Sequence, residues 1–328
     1  MRYLICGAGG FIGGHLSKRL IEQGNSVKCV DIKPIDTWFQ LHDSAQNYSL
    51  DLCIKENCLE MTKNVDFVIN LACNMGGIGF IETHKAECMI SVLINTHLLI
   101  SCKENGVNNY FFSSTACVYN TNLQEKSFIR GLKETDAYPA YPEDGYGWEK
   151  LFSERMCRHF SEDYGLNTKV ARFHNIFGDL GTYDGGREKS PAALCRKIAK
   201  AKLLSKDDIE VWGNGEQTRS YLFIEDCVDA ILKLCESDFQ GPVNIGSEEQ
   251  VSINQMIDII ESIAEYKVTK NYDTSKPIGV MGRSSDNNLI FNKLNWQPKY
   301  SLYEGLFKTY GWIEDMLRKN KNSKTIFG

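Results

Sequence analysis

Immediately after a short apolar run at residues 3–6, the chain enters Gly7-Ala8-Gly9-Gly10-Phe11-Ile12-Gly13, and an amphipathic stretch then runs to residue 23. A strand, a glycine turn and a helix in that order make an anion site. The turn lets backbone approach a pyrophosphate, while the helix start presents unpaired N–H groups and the positive end of its dipole. The match is to Gly-x-x-Gly-x-x-Gly through Gly7, Gly10 and Gly13, because Ile12 breaks the commoner Gly-x-Gly-x-x-Gly. The segment therefore predicts a dinucleotide site that includes Phe11 and Ile12; an ordinary glycine turn is the alternative.

The rest of the chain sets the fold class. Further apolar runs at 26–31, 66–72, 110–114 and 169–173 alternate with helical periodicity at 11–23, 83–105 and 144–164. This is the signature of βαβ crossovers, so we expect an α/β, doubly wound parallel sheet of the Rossmann type. Beyond residue 174 the pattern loosens into loop chemistry at 178–186, short strands near 210–212 and 221–224, and helices near 253–264 and 302–318. The expected division is a dinucleotide-binding domain at 1–174 and a smaller α+β substrate-binding domain at 175–328, with about 218–240 returning to the first.

Composition narrows the function classes. A net charge of -5 with no run of Lys or Arg argues against a nucleic-acid partner. None of the 12 cysteines falls in a Cys-x-x-Cys pair, and Cys6, Cys29, Cys53 and Cys235 lie inside apolar runs. Reduced thiols and no metal site are the expectation. The chain opens without an apolar leader and has no run of 18 apolar residues, which points to the cytoplasm and away from a membrane.

Asp31 ends the second strand, where a carboxylate accepts hydrogen bonds from ribose hydroxyls and repels a 2'-phosphate. NAD is therefore expected over NADP, although Lys33 leaves room for a phosphate. Asp51, with Leu52 beside it, follows a presumed third strand, and faces either the adenine or solvent in an exposed turn. Tyr146 and Lys150 stand four apart on one helix face, a spacing in which the ammonium lowers the phenol pKa and holds the nicotinamide ribose. Tyr266 with Lys270 and Tyr272 with Lys276 share that spacing. Only the first pair follows the strand ending in Ser113-Ser114-Thr115, whose Thr115 hydroxyl can orient a substrate oxygen.

Through the glycine loop, Asn70-Leu71-Ala72, Thr115 and the Tyr146/Lys150 pair, the chain resembles the extended short-chain dehydrogenase/reductases. A narrower set of segments is similar to the GDP-mannose 3,5-epimerase family: 74–80, 116–119, 173–176, 185–193, 195–197, 217–220 and 282–288. The resemblance implies hydride chemistry at Thr115, Tyr146 and Lys150, and proton transfer by Cys117 and Lys189. It implies contacts with a GDP-hexose or similar nucleotide sugar at Gly76, Ala116, Asn175, Glu188 and Ser190, and at Lys197, Gln217, Thr218, Arg219 and Arg283. It also implies a homodimer paired through the helices at 83–105 and 144–164. This chain departs from that family at Cys73, Asn74, Thr115 and Met281, where alanine, aspartate, serine and a second arginine are usual.

Oxidising carbon 4 of a hexose acidifies the hydrogens on carbons 3 and 5, and inversion then needs one group to remove a proton and another to deliver one. A thiol and an amine can exchange these roles if the site depresses the amine, as desolvation or nearby Arg187 would do. Arg219 and Arg283 are candidates for a diphosphate; an ion pair with an acid such as Asp226 or Asp286 is the alternative. His174 reads as a structural histidine. A dehydratase would call for an Asp-Glu pair where this chain has Ala116-Cys117. A 4-epimerase or 4-keto reductase needs no Cys117/Lys189 pair, and a non-catalytic NAD-binding scaffold needs no Tyr146/Lys150 pair.

Overall fold

The computed structural model describes residues 1–322, with side chains through residue 319. Strands β1 (Arg2–Cys6), β2 (Ser26–Asp31), β3 (Gln46–Ser49), β4 (Phe67–Asn70), β5 (Asn109–Thr115) and β6 (Asn167–Phe173) come first. Short strands β7 (Ile176–Phe177), β8 (Asp208–Trp212), β9 (Thr218–Ser220) and β10 (Leu222–Phe223) precede β11 (Pro242–Ile245). β1 to β6 and β11 form one parallel sheet in the order β11-β6-β5-β4-β1-β2-β3. The order reverses between β1 and β4, which opens a crevice beyond the carboxyl ends of the strands.

Its strands read as continuous apolar runs because helices cover both faces. Leu4, Cys6, Val68 and Phe112 pack under α2 (Lys55–Met61), α5 (Val92–Asn105) and α6 (Tyr146–Tyr164). Tyr3, Ile5, Ile69 and Phe111 face the opposite layer, which holds α1 (Phe11–Glu22) and α8 (Ile224–Glu236). A buried ion pair anchors α6. Arg172 of β6 donates to both carboxylate oxygens of Glu154 at 2.9 and 2.7 Å, and the Ser114 hydroxyl of β5 bonds the same carboxylate.

Beyond the sheet, β12 (Gln250–Ser252), β9 and β14 (Gly282–Arg283) form one small sheet, and β13 (Thr269–Asp273) pairs with β8. Helices α7 (Ser190–Leu204), α9 (Ile253–Ala264) and α11 (Leu302–Asn322) pack on one another beside them.

Two expectations change. The helix anticipated at 83–105 is two pieces, α4 (Lys85–Ile90) and α5, behind a separate short helix α3 (Ile78–Thr83): the backbone leaves helical geometry at His84 (φ -126°, ψ 44°), and at Ser91 the ladder tightens to three-residue hydrogen bonds. The Thr83 hydroxyl bonds the Gly79 carbonyl, and Ser91 Oγ accepts from Asn74 N–H. α6 starts at Tyr146 and not at Asp144, since Gly145 has φ +70°. The strand presumed before Asp51 is present as β3, a polar edge strand without the apolar run that betrays the others. Among the described residues, no helix is long and apolar enough to cross a membrane.

Candidate active site

The glycine loop closes tightly on itself. Gly7 adopts φ +83°, and a Cβ on Gly13 would stand 2.2 Å from the Gly7 carbonyl oxygen, so neither position tolerates a side chain. Gly10 precedes α1 without a side-chain cap, leaving the N–H groups of Phe11, Ile12 and Gly13 at the helix start facing the crevice end of the loop. Gly7 and Ala8 donate to the Val30 carbonyl at 2.8 and 3.1 Å, which brings Asp31 beside the loop. The Lys33 ammonium, otherwise exposed, donates to the Gly9 carbonyl at 3.2 Å. This cradle fits a dinucleotide such as NAD. Asp51 is half-buried and accepts from Cys53 N–H at 2.8 Å as a turn residue, while Leu52 belongs to the core.

A cleft of about 360 Å³ lies against the carboxyl end of β5. Thr115, Ala116, Cys117 and Tyr146 line its inner end, and Gly76, Asn175, Glu188, Lys189, Ser190, Lys197, Gln217, Arg219 and Arg283 line the remainder. Sequence positions more than 160 residues apart thus meet in one cavity. Thr115 Oγ1 accepts from Cys117 N–H at 3.2 Å, which pins the turn that carries the thiol. Burial pushes the Cys117 thiol up to about 11, with Glu143 adding to the rise and Arg283 opposing it.

Lys189 stands just ahead of α7, on a loop tied down across the cleft. Gly77 N–H bonds the Arg187 carbonyl at 3.0 Å, and the Arg187 guanidinium bonds Asn74 Oδ1 at 2.9 Å and lies 4.0 Å from the centre of the Phe80 ring. Burial lowers the Lys189 pKa, while Cys117 works against the shift. Burial, and not Arg187, is what depresses the amine.

Two further expectations are corrected. Lys150 was expected to lower the Tyr146 phenol, but burial pushes Tyr146 well above the ordinary tyrosine range. Lys150 is 1% exposed, 3.7 Å from Glu149 Oε2 and 4.7 Å from the centre of the Phe112 ring, behind the cleft wall. Arg283 pairs with neither Asp226 nor Asp286: it bonds Glu143, and its Nη1 lies 3.4 Å from Cys117 Sγ. That places Arg283 at the thiol.

Arg219 is the freer guanidinium. It donates to the Thr218 and Ile278 carbonyls at 2.7 and 3.0 Å, and among the described residues it has no carboxylate within ion-pair distance. Burial, with Arg283 adding to it, lowers it to about 10, the mark of a cation short of an anion. Gln217 is 6% exposed, and among the described residues its Oε1 has no partner. Ser190 and Asn175 are bonded to Tyr221 and the Ser220 carbonyl, Glu188 is paired with Arg196, and Lys197 reaches Glu210. Thr218 does not line the cleft: its fully buried hydroxyl donates to the Ser127 carbonyl and accepts from Gln250. Among the described residues no group of three potential metal ligands is found.

Sequence reasoning missed Glu143, Glu149, Tyr221 and the outer wall of Glu210 and Trp212. An acid beside a polar loop reads as surface, and only the period-two placement of Glu210 and Trp212 on β8 hinted at a shared face.

The model of the NAD dependent epimerase/dehydratase family matches residues 3–246. The chain belongs to that family. It is 43% identical to the GDP-mannose 3,5-epimerase of Arabidopsis thaliana over 98% of this chain and 84% of the relative. It is 26% identical to the GDP-L-colitose synthase of Yersinia pseudotuberculosis over 94% and 96%. Among solved structures, the UDP-glucose 4-epimerase of Thermotoga maritima with UDP-glucose superposes with a TM-score of 0.87, at 25% identity, over 97% of this chain and 100% of that one. The cofactor of the family is NAD, in keeping with the glycine cradle and Asp31.

Proposed function

We propose that this member of the family is an epimerase of the GDP-mannose 3,5 type, working as a homodimer in the cytoplasm. The observation that carries the reading is that Cys117 and Lys189, one on the β5 turn and one ahead of α7, open into the same cleft as Tyr146. A thiol and an amine around one sugar are what inversion beside a ketone requires, and a simple 4-epimerase has no use for them. Support for the dimer comes from α4 to α6, which expose Met89, Ile90, Leu93, Trp148 and Phe152. Twelve free thiols, nine of them buried, suit a reducing compartment.

In this reading residues 1–174 hold NAD and 175–328 hold the nucleotide sugar, with α8 and β11 of the second stretch built into the first. When bound, NAD accepts and returns the hydride of carbon 4. Tyr146 takes the proton of the carbon 4 hydroxyl, Thr115 orients that oxygen, and Lys150 holds the ribose that fixes the cofactor's position. Cys117 and Lys189 then exchange protons at carbons 3 and 5. Arg219 meets the diphosphate, and Gln217 offers its unpaired oxygen to a hydroxyl or amino group of the substrate.

The test is turnover of GDP-mannose in deuterium oxide. Deuterium should enter carbon 5, carbon 3 or both, and be absent from carbon 4. Cys117→Ala and Lys189→Ala should each lose the label. Undiminished labelling in both variants would reject their roles, and label with another nucleotide sugar but not with GDP-mannose would reject the substrate.

A further inference from the structure

The guanidinium of Arg283 is divided among three groups. Nε donates to Gln124 Oε1 at 2.7 Å, Nη1 lies 3.4 Å from Cys117 Sγ, and Nη2 bonds the Glu143 carboxylate. The arrangement is rigid, because Glu143 N–H also donates to the Cys117 carbonyl at 3.0 Å and Arg283 is 4% exposed. A rigid fork with one prong on a carboxylate and the other on a sulfur couples the charges of the two. The acid neutralises the arginine and at the same time disfavours a thiolate.

We propose that Glu143 is a positioning residue for proton transfer: through Arg283 it keeps Cys117 a neutral thiol in the resting enzyme, so that Cys117 begins as proton donor and Lys189 as proton acceptor. The proposal rests on the reading of Cys117 and Lys189 as the proton-exchanging pair. In the first inversion the C–H bond beside the ketone breaks, its proton passes to the Lys189 lone pair, and its electrons enter an enolate. The enolate carbon then takes the Cys117 proton on its other face, and the S–H electrons remain on sulfur as a thiolate held by Arg283 Nη1. The pair ends with its protonation exchanged, ready to act in the reverse sense at the second carbon without any further reactant.

Burial does most to keep the sulfur protonated, and Glu143 adds to it; the other groups around the sulfur do not supply this charge control. Tyr146 of α6, Cys88 of α4 and Cys73 beyond β4 pack in the same cluster, and burial holds all three in their neutral forms. Arg219 of β9 brings positive charge, which favours the thiolate, and Lys189 adds to it only after taking the proton. Glu143 is the acid that opposes them.

Site-resolved alkylation of Cys117 by iodoacetamide in the NAD-saturated protein, followed by peptide mass spectrometry between pH 7 and 10, reads the thiolate directly. Glu143→Gln keeps an acceptor for Arg283 but removes the charge, and should speed alkylation about tenfold at a given pH, one unit of thiol pKa. Arg283→Gln should slow it by a similar factor, and Glu143→Asp should stay near the wild-type rate. Opposite signs distinguish charge control from a loosened cleft, which would speed both. An unchanged rate in Glu143→Gln, or acceleration in both variants, would overturn the proposal. If Glu143→Gln fails to bind NAD, the sign of the Arg283→Gln change decides alone. Wild-type protein that fails to label GDP-mannose while keeping the opposed alkylation changes would instead overturn the reading of the reaction.

Discussion

Tyr146 shows how far one residue's chemistry depends on what surrounds it. Burial raises its phenol, and the Lys150 ammonium sits 5.8 Å from the ring centre and 3.7 Å from Glu149. A neutral phenol must give up its own proton before it can take the hydroxyl's, so Tyr146 acts as a base only from its minor phenolate form. Tyr146→Phe should bind NAD as wild type does in a calorimetric titration, yet lose about 10²–10⁴-fold in kcat. Wild-type turnover would remove it from the mechanism. At this scale the sequence was legible where residue type and local spacing agree, as at Tyr146, Lys150 and Gly13. It was not legible at Glu143 and Glu149, whose partners Arg283 and Lys150 become partners only through burial.

At the scale of elements, the close approach of α6 to the turn after β5 brings base and thiol to one substrate. Gly147 makes that approach possible: a Cβ there would stand 2.4 Å from the Cys117 carbonyl oxygen. Gly147→Ala should push the helix away from the turn, costing about 1–3 kcal/mol of stability by overpacking. A displacement on the order of 1 Å between Tyr146 and Cys117 costs about 100-fold in rate. Thermal unfolding and steady-state kinetics would show a lower Tm with kcat reduced about 10–100-fold. Wild-type kcat would mean that the helix and turn have slack. Helical periodicity located α6 well and misread 83–105, because periodicity reports which face is apolar and is blind to where the backbone leaves helical geometry, as it does at His84.

For the whole molecule, the exposed apolar side chains of α4 to α6 form the surface the monomer leaves uncovered, with Ile90 at 52% and Phe152 at 53% exposure. Contiguous patches of that kind mark association. Light scattering at micromolar concentration should return twice the 37.2 kDa chain mass, and Phe152→Glu should shift it toward one. A wild-type monomer would overturn the dimer.

By itself the sequence determined the sheet, its glycine cradle, the Tyr146/Lys150 pair and the family, because each rests on residues close together in the chain. The run Gly7 to Gly13 carries its own geometry, and strands buried on both faces spell themselves out as apolar runs. Tertiary structure alone decided which charges neutralise one another and which remain available. Arg219 and Arg283 look alike in sequence, yet one faces the cleft without an acid while the other is shared by Glu143 and the Cys117 sulfur. The physical reason is that burial and Coulomb coupling depend on distance in space, and 166 residues of chain separate Cys117 from the guanidinium beside it.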